Sequence, residues 1–390
     1  MTIREYIKLL IMIFMKLFLR VFYVFPIIQN RILFSSYNGK QFSCNPRYVY
    51  EYLLNKYKND FQYIWVVGAA NKMVNKPRNA VFVRKLSFRY FFYYLTAKIV
   101  FSNFGKSFSL PFRNNQFFVE TWHAGGAYKK LNKTKLKEHW LENASKEVNL
   151  VISSSKTFST IMARFLHVPV DKFLECGMPR NDLFYNTNTH VSIKVKKYYG
   201  INPDLKIALY APTFREKYEK GSLGKADIRL LNISGCLDAL SKRFKSAFIF
   251  VSRMHLSISH SSFDDMNSCI NATDYPDMQE LLCATDVLIT DYSSSIWDFS
   301  LTGKPCFLYA PDLAQYDRER GFYTPIESWP AILAQSNEEL VQNILSFDEE
   351  SFAERIKKHH EDLGICETGH ASQIIGDKIY DICFGNGSKQ

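Results

Sequence analysis

Several short segments of this chain end an apolar run on side chains able to hold a phosphate or move a proton. In LITDYSSSIWDF, Leu288–Phe299, the apolar run meets Asp291, an aromatic ring, and then Ser293, Ser294 and Ser295, with Asp298 following among apolar residues. A strand DVLIT and a helix SSSIWDFSLTG, stopped at Gly303, put the serines at a helix N-terminus. Free backbone N–H groups, the positive helix end and hydroxyl donors together favour an anion there. One serine would serve for ordinary capping; three in succession point to phosphate. TWHAGGAYKKL brings His123 to a strand end, followed by glycines that let a ligand come close, and by Lys129 and Lys130. APTFR presents Thr213 and Arg215 at another strand end, and VSRMH presents Arg253 and His255 at a third. RERGFY supplies Arg318, Arg320 and Gly321 in a loop. Taken singly, each reads as a structural histidine or a solvated arginine. Taken together, at strand ends that open into one cleft, they suit proton removal beside a diphosphate.

Competing signatures are missing from the sequence: no GxGxxG, no P-loop, no HExxH and no nucleophile elbow. The adjacent acids of FDDMN sit in a polar stretch and make a weak metal site.

The elements that must position these residues follow a βα rhythm. RILFSSY, YIWVVG, AVFVRK, KIVFSN, FFVETWH and VNLVISSS read as apolar strands. NPRYVYEYLLNKY reads as a helix that Asn45 caps and Pro46 opens, and KTFSTIMARFL as a second helix. The chain turns polar between Asn186 and Asp204, with a helix over VSIKVKKYYG, and the rhythm restarts at KIALYAPTFR. Near-continuous apolar strands separated by helices indicate parallel sheets covered on both faces. The expected fold class is α/β with two doubly wound, Rossmann-like lobes, at 29–190 and 191–390, and the ligand cleft between them at the carboxyl ends of strands.

A chain of 390 residues with 47% hydrophobic and 22% charged residues has a real core and suits two domains. Its net charge of +11 points to anionic partners. The eight cysteines lack zinc or redox spacing and read as reduced thiols of a cytosolic protein. Residues 1–28 are read apart from the lobes. Lys16 and Arg20 interrupt the apolar run, which excludes a spanning helix and argues against a signal peptide. At helical spacing Arg4, Glu5, Lys8, Lys16 and Arg20 fall on an arc of roughly 160°, with apolar residues over the rest. A basic amphipathic helix lying on an anionic membrane surface is expected.

The blocks TWHAGGAYKK, LYAPTFR, RMH, LITDYSSSIWDF, KPCFLYAPDLAQYDRERGFY and ETGHAS, in this order, resemble those of CDP-glycerol glycerophosphotransferases of teichoic acid and capsule synthesis. The resemblance runs from about Arg31 to Ile382. It implies a GT-B fold, peripheral attachment to the cytoplasmic face of the cell membrane, and transfer of glycerol phosphate from CDP-glycerol with release of CMP. It also implies that His123 is the base and His255 a second essential histidine, with Ser293, Ser294 and Arg320 near the donor phosphates. Ala124 departs from the pattern, where many members have Gly, and this bears on the acceptor.

The expected reaction is therefore attack of an acceptor hydroxyl, on a lipid-linked glycan or polyol phosphate, at the glycerol-bearing phosphorus. His123 and His255 form the catalytic set. Thr213, Arg215, Arg253, Asp291, Ser293, Ser294, Ser295, Asp298, Arg320, Gly321 and Lys129 form the substrate-binding set. No cofactor is required by this scheme, and Mg²⁺ on the diphosphate is compatible with it. CDP-ribitol as donor, or a sugar transferase of the same fold, are the enzyme alternatives. A basic lipid-surface or nucleic-acid-binding protein is the non-enzyme alternative, and the spread of basic residues over both lobes argues against nucleic acid. The chain length favours a priming or short-addition enzyme.

Overall fold

The computed structural model describes residues 3–68, 79–107, 110–126, 128–131, 142–143, 145–185, 189–213, 230–254 and 269–385. One sheet contains β1 (Ile28–Ser35), β2 (Gln62–Val67), β3 (Ala80–Arg84), β4 (Ala97–Ser102), β5 (Phe117–Glu120), β6 (Leu150–Ser153) and β7 (Phe173–Glu175), in the order β3-β2-β1-β4-β5-β6-β7. The other contains β8 (Lys206–Ala211), β9 (Phe248–Ser252), β10 (Cys269–Asn271), β11 (Val287–Thr290), β12 (Cys306–Tyr309) and β13 (Ile332–Ala334), in the order β10-β9-β8-β11-β12-β13. Neighbouring strands pair in parallel throughout both sheets. Strand order therefore reverses between β1 and β4 in one sheet and between β8 and β11 in the other, the positions where doubly wound sheets bind ligands. This is the α/β architecture that the alternating pattern dictates.

The described helices are α1 (Ile3–Phe18), α2 (Cys44–Tyr57), α3 (Phe88–Thr96), α4 (Lys156–Leu166), α5 (Thr189–Tyr199), α6 (Ile233–Phe244), α7 (Met278–Ala284), α8 (Ser295–Ser300), α9 (Leu313–Glu319), α10 (Asn337–Leu345), α11 (Glu349–Leu363) and α12 (Ala371–Phe384). By their contacts the elements form two compact units. The first comprises Met1–His123, Lys133–Asp182 and Cys366–Gln390; the second comprises Ala124–Asn132 and Leu183–Ile365. The change of unit falls at Asp182, a few residues before the polar stretch. The final helix returns to the first unit, and a short piece after His123 joins the second.

Side-chain chemistry explains the return of α12. The Asp377 carboxylate accepts hydrogen bonds from Tyr52 and Tyr57 hydroxyls at 2.7 and 2.8 Å and pairs with Lys56 at 2.8 Å, all on α2. Tyr57 also stacks on Tyr380 with ring centroids 4.1 Å apart. In the first core Phe34 on β1 stacks between Trp65 on β2 and Phe101 on β4, at 5.3 and 5.0 Å. Much of the aromatic content is thus core packing of the kind that rings favour.

Two local expectations change. Asn45 lies inside the first turn of α2, whose N-cap is Ser43, and its side chain is fully buried. Its amide donates instead to the Thr121 and Trp122 carbonyls, at 2.8 and 3.1 Å. Leu19 and Phe22, in the 3₁₀ turn after α1, are buried, and Phe22 and Phe25 pack on Phe88 and Phe92 of α3. α1 keeps Tyr6, Leu10, Ile11, Phe14, Leu17 and Phe18 at least half exposed, as are Val21 and Val24 after it. No described helix is long and apolar enough to cross a membrane.

Candidate functional site

In the first unit the chemistry collects at the strand reversal. β1 ends at Ser35 beside Ser102 of β4, and Asn103 follows, fully buried. The Asn103 side-chain oxygen accepts from the Tyr37 N–H at 2.8 Å, which ties the two strand ends together. Its main-chain carbonyl lies 2.7 Å from His123 Nδ1. A carbonyl can only accept, so Nδ1 carries a proton, and in the neutral form of the ring the lone pair lies on Nε2. The imidazole, partly exposed, stacks with Trp122 at 4.8 Å and Phe104 at 5.3 Å, with Tyr37 tilted at 5.7 Å.

The sequence placed His123 at the end of a strand, but β5 stops at Glu120. Trp122 adopts φ of 50°, a left-handed conformation unusual for an aromatic residue. Glu120, Asn45 and Asn103, none of which the sequence marked as a site residue, surround this turn. Glu120 is 2% exposed and accepts from the Trp122 N–H at 2.8 Å. Burial pushes its carboxyl up to about 8 against the opposing pull of the Trp122 and Gly105 N–H groups. The signal in the sequence was slight: one acid closing an apolar strand, three residues before a histidine.

In the second unit the reversal between β8 and β11 brings Thr213 and Asp291 together. Asp291, 1% exposed, accepts from the Thr213 N–H at 2.7 Å, and the Thr290 hydroxyl donates to the Ala211 carbonyl at 2.6 Å. Arg253, one residue past β9, donates from Nη1 to the Tyr275 carbonyl at 2.8 Å. The serines divide. Ser293 and Ser294 are partly exposed, and Ser294, the N-cap of α8, makes no side-chain cap bond. Ser295 is buried and donates from its hydroxyl to Ser293 Oγ at 2.9 Å. Asp298 is turned inward and accepts from the Gln279 amide at 2.9 Å.

Two blocks far apart in sequence meet through Tyr292. Its hydroxyl donates to Asp312 at 3.0 Å, and its ring stacks on Tyr316 at 3.9 Å, with Phe322 5.5 Å away. The loop carrying Arg320 and Gly321 is therefore anchored to the serine turn. The segment after His123 pairs with the same loop. Lys129 bridges Phe322 antiparallel, Lys130 N–H donates to the Gly321 carbonyl at 3.0 Å, and Tyr323 N–H donates to the Tyr128 carbonyl at 2.8 Å. Arg320 Nε reaches the Lys130 carbonyl at 3.2 Å. Lys129, Arg320 and Gly321 are thus one local structure.

The glycines before this pairing have a structural reason. A Cβ on Gly125 would lie 2.1 Å from Cδ1 of Trp297, and one on Gly126, with φ of 59°, would lie 2.6 Å from the Tyr128 ring. The open space expected beside Gly125 is filled by the Trp297 indole. Beneath it, His359 donates from Nδ1 to the Ser328 carbonyl at 2.8 Å and accepts from the Tyr128 hydroxyl at 3.0 Å. The Ser300 hydroxyl donates to the Trp297 carbonyl, so His360 Nε2 donates to Ser300 at 2.7 Å. Burial pushes both histidines down to about 4, and they are neutral at pH 7.

His255, Arg215 and the FDDMN acids lie outside the described residues. Among the described residues, no three His, Cys, Asp or Glu side chains gather as a metal-binding group.

The sequence pattern of the CDP-glycerol:poly(glycerophosphate) glycerophosphotransferase family matches residues 17–381. The chain is 32% identical to a teichoic acid poly(glycerol phosphate) polymerase of Bacillus spizizenii, over 96% of this chain and 98% of that protein. It is 30% identical to one from Staphylococcus epidermidis over 90% of this chain, spanning 50% of that longer protein. A solved structure of the wall teichoic acid polymerase TagF, from a crystal soaked with CDPG, is similar at a TM-score of 0.81 and 26% identity, covering 98% of each chain. The Bacillus spizizenii protein is a polymerase by name and nearly fully spanned. Chain length therefore does not separate priming from polymerising enzymes.

Proposed function

Because the chain belongs to the CDP-glycerol:poly(glycerophosphate) glycerophosphotransferase family, we propose that it moves glycerol phosphate from CDP-glycerol to a hydroxyl of a lipid-linked acceptor at the cytoplasmic face of the membrane. The acceptor oxygen attacks the glycerol-bearing phosphorus, its proton passes to His123 Nε2, and the bond to the CMP phosphate breaks with CMP leaving. The observation that carries this reading is the Asn103 carbonyl on His123 Nδ1, which places the basic nitrogen of a neutral ring at Nε2. A base held in one tautomer needs no reorganisation when the hydroxyl arrives.

Donor handling is assigned to the second unit. Thr213, Asp291, Ser293, Ser294 and Arg320 gather around its strand reversal or on the loop anchored there. The partly exposed Ser293 and Ser294 hydroxyls suit the donor phosphates, with Arg320 supplying positive charge for the leaving diphosphate oxygen. The bare apolar side chains of α1, with exposed Arg20 after them, favour contact with an anionic bilayer.

The test is product analysis. The purified chain is incubated with CDP-glycerol or CDP-ribitol and lipid-linked acceptors bearing a free hydroxyl, and products are weighed by mass spectrometry. Acceptor mass should rise by whole glycerol phosphate units with CMP release. Ribitol phosphate addition at an equal or greater rate overturns the donor assignment.

A further inference from the structure

We infer that Glu120 is a positioning residue for His123, its buried carboxyl holding the strained turn that presents the imidazole to the Asn103 carbonyl. This inference rests on the reading of His123 as the base. One turn, Thr121–His123, carries the ring itself; the other, Asn103–Gly105, supplies the carbonyl that fixes Nδ1 and the Phe104 ring that stacks on the imidazole. Glu120 accepts from the Trp122 N–H of the first turn, and the pairing of β5 with β4 seats it beside Ser102, directly before the second.

The contact has work to do because the first turn is not a relaxed one. Trp122 is held at positive φ, where an L-residue with a bulky side chain is strained, and such strain persists only where surroundings over-determine it. Two side chains fix the turn: Glu120 accepts from the Trp122 N–H, and the Asn45 amide donates to the carbonyls of Thr121 and Trp122. Relaxation of Trp122 toward negative φ would swing His123 away from the Asn103 carbonyl and Phe104. Nδ1 would then lose its acceptor, and the proton would distribute over both ring nitrogens. A carboxyl with one free oxygen lone pair in the right place is sufficient, so a glutamine, whose amide oxygen accepts equally well, can replace it.

The experiment uses the full chain with Glu120→Leu and Glu120→Gln. Long-range ¹H–¹⁵N spectra report the tautomer of each histidine, and His123 is assigned by its loss in His123→Asn. Turnover and donor KM are measured beside them. In Glu120→Leu the His123 signals should move from the Nδ1–H tautomer toward a mixture, and kcat should fall roughly 10- to 100-fold with donor KM within about threefold. In Glu120→Gln both should stay near the parent. If Glu120→Leu does not fold, Glu120→Asp withdraws the oxygen from the Trp122 N–H while keeping a buried acid, and the tautomer should shift there too. Unmoved His123 signals in the folded Leu or Asp variant, or a Gln variant as impaired as Leu, overturn the inference. Should His123→Asn keep full turnover, the base reading fails by itself, and Glu120→Leu would then move the ring signals without lowering kcat.

Discussion

Adding one methyl group at Gly125 tests how tightly the segment after His123 is seated on the second unit. The new Cβ would stand 2.1 Å from Cδ1 of Trp297 and 2.6 Å from Cγ and Nε1. Carbon atoms rest at about 3.5–4.0 Å, so one partner must move by more than about 1 Å. Trp297 has little freedom to yield: it is fully buried, with the His359 and His360 rings 6.2 and 5.6 Å from its own. Overpacking of this kind costs about 1–3 kcal/mol, and backbone against a locked indole belongs at the upper end. For a unit of this size that corresponds to a fall in melting temperature of roughly 5–12 °C. Urea and thermal unfolding of Gly125→Ala, Trp297→Leu and the double variant form the assay. Trp297→Leu alone should cost about 3–4 kcal/mol through its cavity. It should also make the added methyl nearly harmless, giving a coupling energy of about 2 kcal/mol. Additivity within about 0.5 kcal/mol would refute the contact as the reason for glycine at this position.

Acid should loosen the same region. His359 and His360 titrate near 4 when folded and near 6.5 when free, so the unfolded chain binds more protons between these values and stability falls as pH drops from about 6.5 to 4. Each histidine contributes on the order of 2–3 kcal/mol to that loss; melting curves should show it, and a flat melting temperature across this window would contradict it. Arg320→Ala should weaken CDP-glycerol binding or turnover roughly 10- to 100-fold through loss of a charge-assisted contact. Unchanged donor kinetics would leave Arg320 as an anchor of the Lys130 carbonyl only. Removal of residues 1–17 should release the protein from anionic vesicles and spare turnover on a soluble acceptor, whereas full flotation of the truncated chain would refute the surface role of α1. The cut stops short of Leu19 and Phe22 because these are buried against the first unit.

The fold was legible because period and punctuation agreed. KTFSTIMARFL is α4 residue for residue, and the apolar runs before each polar strand end became parallel strands. What escaped was set by packing. FRYFFYYLT is nine residues with six aromatic rings, yet it is a helix: Ser87 caps it by accepting from Tyr90 N–H, and its rings cover Phe22 and Phe25. The strand ends at Thr213, Arg253 and Asp291 were readable, since they follow directly from where β8, β9 and β11 stop. The supports of His123 were not. Asn45, Asn103 and Glu120 come from three separate elements, and only the fold brings them to one turn. Gly125 was misread because the sequence shows a missing side chain but not the Trp297 indole that fills its place.

The most direct measurement is the turnover of His123→Asn, which keeps a donor and an acceptor on the side chain but has no base of suitable strength. Purified protein is checked for folding and for CDP-glycerol binding by calorimetry, and CMP release is then followed with acceptor in excess. With His123 Nε2 as the proton acceptor, donor binding should stay near that of the parent while turnover falls about 10²- to 10⁴-fold. A folded His123→Asn enzyme that binds donor and retains more than about a tenth of normal turnover would contradict general-base catalysis at this position.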